Sequence, residues 1–151
     1  MKDATSKNSL SETPPSEIRY FFPKEEKLCK KLIIDYVFEH GKSVKVGVLK
    51  FFYAFPIPED WAEQPVQVAF SAPKRSFKKA VVRNKLKRRM REAYRLHKYL
   101  HLRPHELPEG ALAVFVVIRS FKTPTFHTIN WAMKKGLLRI NSDLRSIQPP
   151  T

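Results

Sequence analysis

The stretch VAFSAPKRSFKKAVVRNKLKRRMREAYR, residues 68–95, runs from an alternating apolar strand through a proline-containing turn into an amphipathic helix. From Lys74 within it to Lys98 just beyond it, the chain sets twelve of its 29 basic residues against one acid, Glu92. That density accounts for most of the net charge of +15; it repels itself at short range and is stable only beside a polyanion or well spread in solvent. Val81, Val82, Leu86, Met90, Ala93, Tyr94 and Leu96 are threaded through it, so the same segment also folds onto a core. A basic element docked on a globular domain is the electrostatic footprint of nucleic-acid binding.

Helical geometry separates the two roles. At about 100° per residue, Val82, Leu86, Met90, Ala93 and Leu100 share one sector, and Asn84, Lys87, Arg88, Arg91, Arg95 and Lys98 the opposite one. Glu92 is almost the only acid available for pairing along the helix, so a merely solvated charged face is the weaker reading. Arginine outnumbers lysine here, which favours bidentate phosphate contacts and stacking over simple neutralisation. The candidate nucleic-acid contacts are Lys74, Arg75, Lys78, Lys79, Arg83, Asn84, Lys85, Lys87, Arg88, Arg91 and Arg95.

The rest of the chain supplies the body of one domain. Its 151 residues, with 42% hydrophobic and 12% aromatic content, are enough for a real core and exclude a wholly disordered chain. Residues 1–20 are rich in Ser, Thr, Pro and charge and read as a flexible tail without the apolar region of a secretory signal. The domain is expected over 21–148. A helix is predicted from Lys24 to His40, with Gly41 as its C-cap. Val44 to Phe55 reads as one strand, with Leu49, Phe51, Tyr53 and Phe55 on one face and Val46, Val48, Lys50 and Phe52 on the other. Val66 to Ser71 is a second strand with Val66, Val68 and Phe70 inward. The basic helix spans about Lys79 to Leu102, stopped by Pro104. Ala111 to Ile118, apolar on both faces, is an interior strand. Phe126, Ile129, Met133, Leu137, Ile140 and Leu144 form the core stripe of a last helix after Pro124. The order helix, strand, strand, helix, strand, helix implies an α+β domain with helices packed on a sheet.

Other chemistry is poorly supported. Cys29 cannot form an internal disulfide and reads as a buried, inert thiol. His97, His101 and His105 recur every four residues, but Pro104 interrupts the helix and the intervening Glu of H-E-x-x-H is missing, so no metal site is expected. His40 and His127 have no recognisable Ser, Cys or paired-acid partners, and the 14 acids form no nuclease-like cluster. No apolar run approaches the ~20 residues of a spanning helix, so a membrane partner is not expected and cytoplasm is the natural compartment.

Val68, Ser71, Lys74 and Arg75, leading into Ala80, Val81, Arg83, Asn84, Lys87, Arg88, Arg91, Glu92 and Ala93, resemble the signature of the bacterial ribonuclease P protein subunit. Phe22 to Leu28 and the Val37-Phe38-Glu39-His40-Gly41 run look like that family's opening helix. The likeness covers about Phe22 to Ile140. Family members often carry a glycine in the turn that is here Ser76-Phe77-Lys78-Lys79, and often an aromatic where this chain has Ile34.

The resemblance implies a single-domain α/β sandwich with a mixed sheet and a left-handed βαβ crossover, a fold shared with a ribosomal small-subunit protein domain. It also implies an endonuclease that removes the 5′ leader of precursor tRNA, in which the partner RNA and its bound Mg²⁺ are the catalyst. The protein alone is then non-catalytic and binds no cofactor or small-molecule substrate. Arg83, Asn84, Lys85, Lys87, Arg88 and Arg91 would meet the catalytic RNA, and a cleft beside the first helix would hold the single-stranded leader. The residues independently offer such a cleft. Phe52 and Phe38 are candidate stacking platforms, Lys50 a phosphate contact, Ser71 (with Ala69) leaves room above the second strand, and Arg119 stands at the end of the third. A core role for Phe38 and Phe52 is the alternative. A ribosomal RNA-binding protein would share the composition without the long Arg83-to-Ala93 motif.

Overall fold

The computed structural model describes residues 26–58, 60–62, 64–120 and 122–147. Its elements are α1 (Lys31–His40), β1 (Lys42–Val46), β2 (Leu49–Ala54), β3 (Val66–Ser71), α2 (Ala80–His97), β4 (Leu112–Ile118) and α3 (Phe126–Ile147). The four strands form one mixed sheet in the order β1-β2-β4-β3. β1 with β2 and β2 with β4 are antiparallel, while β3 and β4 run parallel, joined through α2 as a βαβ unit. The apolar β4 is interior, as its sequence predicts.

Helices cover both faces. α2 and α3 bury Leu86, Met90, Ala93, Tyr94, Ile129, Met133, Leu137, Ile140 and Leu144 against Leu49, Phe51, Tyr53, Val68, Val114 and Val116 of the sheet. Each fully buried side chain of this size contributes about 1.5–3 kcal/mol. α3 lies so close that a Cβ at Gly136 would stand 2.1 Å from the Phe51 ring. Thr125 caps α3, its Oγ1 accepting from the Thr128 amide at 3.2 Å. On the other face α1 lays Ile33 and Val37 against Leu28, Ala54, Ile57 and Ala113.

Three predicted boundaries move, each for a local reason. The single strand expected over Val44 to Phe55 is a hairpin, turned at Gly47 and Val48, with Gly47 in the left-handed region at φ 55°. The turn sets Val46 opposite Leu49, so Val46 is buried and Val48 packs with it on the core face, not with Lys50 and Phe52. α1 starts at Lys31, not Lys24, because Lys27 bridges to Val68 and the Leu28 amide donates to the Val68 carbonyl at 2.9 Å. That pairing covers the free edge of β3. It also leaves Cys29 in the connection to α1, exposed and not buried as expected, with Leu28 taking the inward position.

The basic helix keeps its α-helical pitch only to His97, and Lys98–Leu102 is a π-helical turn. The wider winding rotates the side chains of this last turn relative to those before it. Lys98, expected on the basic face, is buried at 2% exposure and ion-paired to Glu26; Leu100, expected in the core, is 47% exposed, and Leu102 takes the inward place. Arg103, left-handed at φ 53°, then leads into the 3₁₀ turn Pro104–Glu106. Of the two expected segments, the 1–20 tail lies outside the described residues, and the domain covers those described.

Candidate nucleic-acid interface

The turn before α2 organises the basic surface. Its backbone closes through Ser76 and Phe77 amides that donate to the Pro73 carbonyl at 3.1 and 3.0 Å. No residue of it has positive φ, so the missing glycine costs nothing here. Phe77 is buried in the main core and anchors the turn, leaving Lys74, Arg75, Lys78 and Lys79 exposed. Arg83 straps the turn to the helix: its Nη1 donates to the carbonyls of Phe77 at 2.9 Å and Lys78 at 2.8 Å. Arg89, which is not among the candidate contacts, also holds structure by donating to the Pro124 carbonyl at 2.6 Å ahead of α3.

Asn84, Lys85 and Arg88 stand exposed along α2, and Lys87, Arg91 and Arg95 are half-exposed beside them. Arg95 donates from Nε to Glu92 at 3.0 Å, and that bond holds the Glu92 carboxyl below its ordinary value. The one acid of the segment is thus committed to one arginine. The predicted amphipathic split holds through Ala93, with Val81 at 78% exposure as the apolar exception.

A separate groove of about 540 Å³ opens on the α1 face of the sheet. It is lined by Phe38 from α1, Lys50 and Phe52 from β2, Val117 from β4, Arg119, and Pro73, Arg75 and Ser76 from the turn before α2. None of these is acidic. Strand register explains the convergence: Ser43, Phe52, Phe115 and Ala69 form one row across the sheet, and Lys45, Lys50, Val117 and Ser71 the next.

Within the groove, the Phe38 ring lies 4.9 Å from Phe52 and 5.1 Å from Phe115, centroid to centroid. The Lys50 ammonium sits 5.0 Å from the Phe52 centroid. Phe38 is 47% exposed and Phe52 half-buried, so neither is sealed in the core. Arg119 is fixed through its backbone, whose amide donates to the Val48 carbonyl at 2.7 Å. Cations beside open aromatic rings, with no acid among them, are suited to a single-stranded nucleic acid, bases on rings and phosphates on the charges.

Comparison with known proteins bears on what this surface serves. Residues 22–141 match the ribonuclease P family. The ribonuclease P protein component of Porphyromonas gingivalis is 36% identical over 137 residues, spanning 89% of this chain and 94% of that protein.

The chain belongs to the ribonuclease P protein family.

A second ribonuclease P protein component, from Chlorobium phaeobacteroides, is 45% identical over 76 residues, half of this chain and 52% of the relative. The solved RNase P protein of Staphylococcus aureus superposes with a TM-score of 0.59 at 22% identity, covering 79% of this chain and 97% of that one. That of Thermotoga maritima gives 0.54 at 25% identity, covering 76% and 96%. Both share the α+β fold. Ribonuclease P is a tRNA-processing ribonuclease, so membership implies an RNA partner and decides against the ribosomal alternative that composition leaves open.

In this ribonuclease P protein the five residues expected in a cleft divide four to one. Phe38, Lys50, Phe52 and Arg119 line one groove, whereas Ser71 shares the row of Lys50 and Val117 but stands off the lining. Val117 and Pro73 join them without a sequence signal, and Phe115 supports the Phe38 ring from β4 without lining the groove. β4 is apolar on both faces, so its alternation does not tell which residue looks into a groove, and Pro73 reads as turn punctuation.

The His97 and His101 rings do come together, 4.9 Å apart, while His105 pairs with Glu106. His97 Nε2 is bonded to Asn130 at 2.9 Å, and burial pushes both His97 and His101 below the ordinary histidine value. Among the described residues no three His, Cys, Asp or Glu side chains converge to hold a metal, and no helix is long and apolar enough to cross a membrane.

Proposed function

We propose that this ribonuclease P protein component grips the catalytic RNA with α2 and its preceding turn and holds the single-stranded 5′ leader of precursor tRNA in the groove under α1. The observation that carries the reading is the groove itself: Phe38 and Phe52 in ring contact, flanked by Lys50, Arg75 and Arg119 without an acid. Duplex RNA offers phosphates but no free base faces, whereas a leader offers both. The exposed Lys74, Lys78, Lys79, Lys85 and Arg88, with the half-exposed Lys87, Arg91 and Arg95, supply the sequence-independent charge contact that a folded RNA requires, and Asn84 adds a neutral hydrogen-bonding group among them.

In this reading catalysis belongs to the RNA, whose bound Mg²⁺ supplies the hydrolytic chemistry. Arg75 belongs to both surfaces, standing in the turn before α2 and lining the groove, so the leader path adjoins the RNA grip. The cytoplasm, where precursor tRNA is made, is the matching compartment.

Reconstitution tests the proposal. Adding the chain to a ribonuclease P RNA at low Mg²⁺ is expected to restore cleavage of precursor tRNA and to raise affinity for precursor over mature tRNA. Failure of the chain to change either quantity defeats it.

A further inference from the structure

On the face opposite α1, two exposed cations follow an exposed indole along α3. Trp131 of α3 is 51% exposed, although it sits where the β1–β2 turn closes over the helix. A Cβ at Gly47 would stand 3.4 Å from its ring, so the turn supports one part of the indole and leaves the rest open. Lys135 and Arg139 follow at successive steps of four, on the same outward stripe and about 6 Å apart along the axis.

Two hollows continue from that stripe. One of about 330 Å³ is lined by Val46, Lys135, Leu138, Arg139 and Ser142. The next, of about 570 Å³, runs along the edge of β1 at Ser43, Val44 and Lys45 and shares Arg139 and Ser142 with the first. Among the described residues β1 is an edge strand, paired only with β2, and its outer backbone groups face this channel. Lys135 and Arg139 form no ion pair among the described residues, and Lys45, in the row of Lys50, turns its side chain to the α1 face. The one acid among the described residues lining these hollows, Asp143, is held by the Tyr53 hydroxyl at 2.8 Å and by Lys42 at 3.3 Å.

We propose that the Trp131–Lys135–Arg139 stripe, continued along the outer backbone edge of β1, forms a second single-stranded RNA contact, in which the indole stacks an unpaired base and the two cations meet its phosphates. Charge selects this occupant. A second copy of a chain carrying +15 brings like charge to a basic channel, whereas RNA relieves it. The geometry also separates the contact from the groove under α1, since α1 and α3 pack on opposite faces of the sheet. The inference therefore stands apart from the leader assignment.

Trp131 reports on its own site once Trp61, the chain's other tryptophan, is replaced by Phe. Titrating full-length W61F with a 12-nucleotide oligouridylate is expected to change Trp131 emission saturably. K135A/R139A, exposed positions that leave the core untouched, should weaken that titration about tenfold and lower its salt slope by about 0.7 for each phosphate left without its cation. W131A, followed by the anisotropy of a labelled oligonucleotide, should lose about five- to 150-fold in affinity at this site. Phe52→Ala should leave the Trp131 titration unchanged. Emission that stays flat while anisotropy reports binding overturns the proposal, as does indifference to K135A/R139A. Sedimentation showing that K135A/R139A dissolves a dimer, with no RNA effect, would assign the face to self-association and also overturn it.

Discussion

Arg83 stands in the most RNA-like segment of the chain, yet its geometry gives it a structural task, and Arg83→Ala should separate the two. Its Nη1 serves two carbonyls, Phe77 O at 2.9 Å and Lys78 O at 2.8 Å. A hydrogen bond from a charged donor contributes about 1.5–3 kcal/mol where water is excluded. The Phe77 contact is part-buried and the Lys78 contact exposed, so the first counts nearly in full and the second is largely replaced by water. The expected loss is about 2 kcal/mol. For a domain of this size that lowers the melting midpoint by about 4–8 °C.

Arg88 lies exposed on the same helix, and Arg88→Ala should change stability by no more than about 0.5 kcal/mol. RNA binding sorts them differently. Arg88→Ala should lower the salt slope by about 0.9 for a contact to duplex phosphate. Arg83→Ala should weaken binding by releasing the turn that carries Arg75, Lys78 and Lys79. Thermal denaturation of both variants beside filter-binding titrations over salt is the measurement. Arg83→Ala that melts with Arg88→Ala would refute the strap.

Three further outcomes are expected. Phe52→Ala should weaken binding of precursor tRNA by about 1–3 kcal/mol and spare mature tRNA, both read with reconstituted enzyme; equal losses would remove Phe52 from the leader path. Gly136→Ala should destabilise by about 3 kcal/mol in a denaturant titration, because the added methyl meets the Phe51 ring at 2.1 Å and the packed core must shift; an unchanged midpoint would contradict that packing. His97 and His101 have folded values depressed by burial, with Lys134 adding repulsion to each, so the unfolded chain binds more protons below neutral pH. Stability is therefore fully present above about 6.5, the unfolded value, and falls as pH drops toward the folded ones. His101→Gln should flatten the fall in melting midpoint between pH 7.5 and 5.5, and an unaltered profile would count against it.

The fold and the groove are legible in the sequence to different depths. Element types follow from periodicity because each strand and helix hides one face, and Val68, Phe51, Leu86 and Ile140 lie where that pattern puts them. The hairpin is hidden because a two-residue turn preserves apolar alternation on both sides of Gly47. The π-helical turn has no sequence mark at all; a wider winding shows only once Lys98 is seen paired inside with Glu26. Convergence of Phe38, Lys50, Phe52 and Arg119 can be read ahead of the structure, since period two separates Lys50 and Phe52 from the core face. The division of labour between Arg83, which holds a turn, and Arg88, which faces solvent, cannot. Side-chain type is the same in both, and only backbone carbonyls within reach tell them apart.

One residue, Gly41, is all that separates α1 from β1. A Cβ there would lie 2.3 Å from the Val37 carbonyl oxygen and 2.5 Å from that of Tyr53, so chain passes chain with no space between. Phe38 stands three positions before this point, and β1 runs on from it beside Phe52. The aromatic wall of the groove is therefore spaced by covalent distance, not by a loop that adjusts. Length variation in this chain has an asymmetric effect. The connection after Ala54 can lengthen and still leave the rings together, whereas a single residue inserted beside Gly41 pushes helix and hairpin apart and parts Phe38 from Phe52.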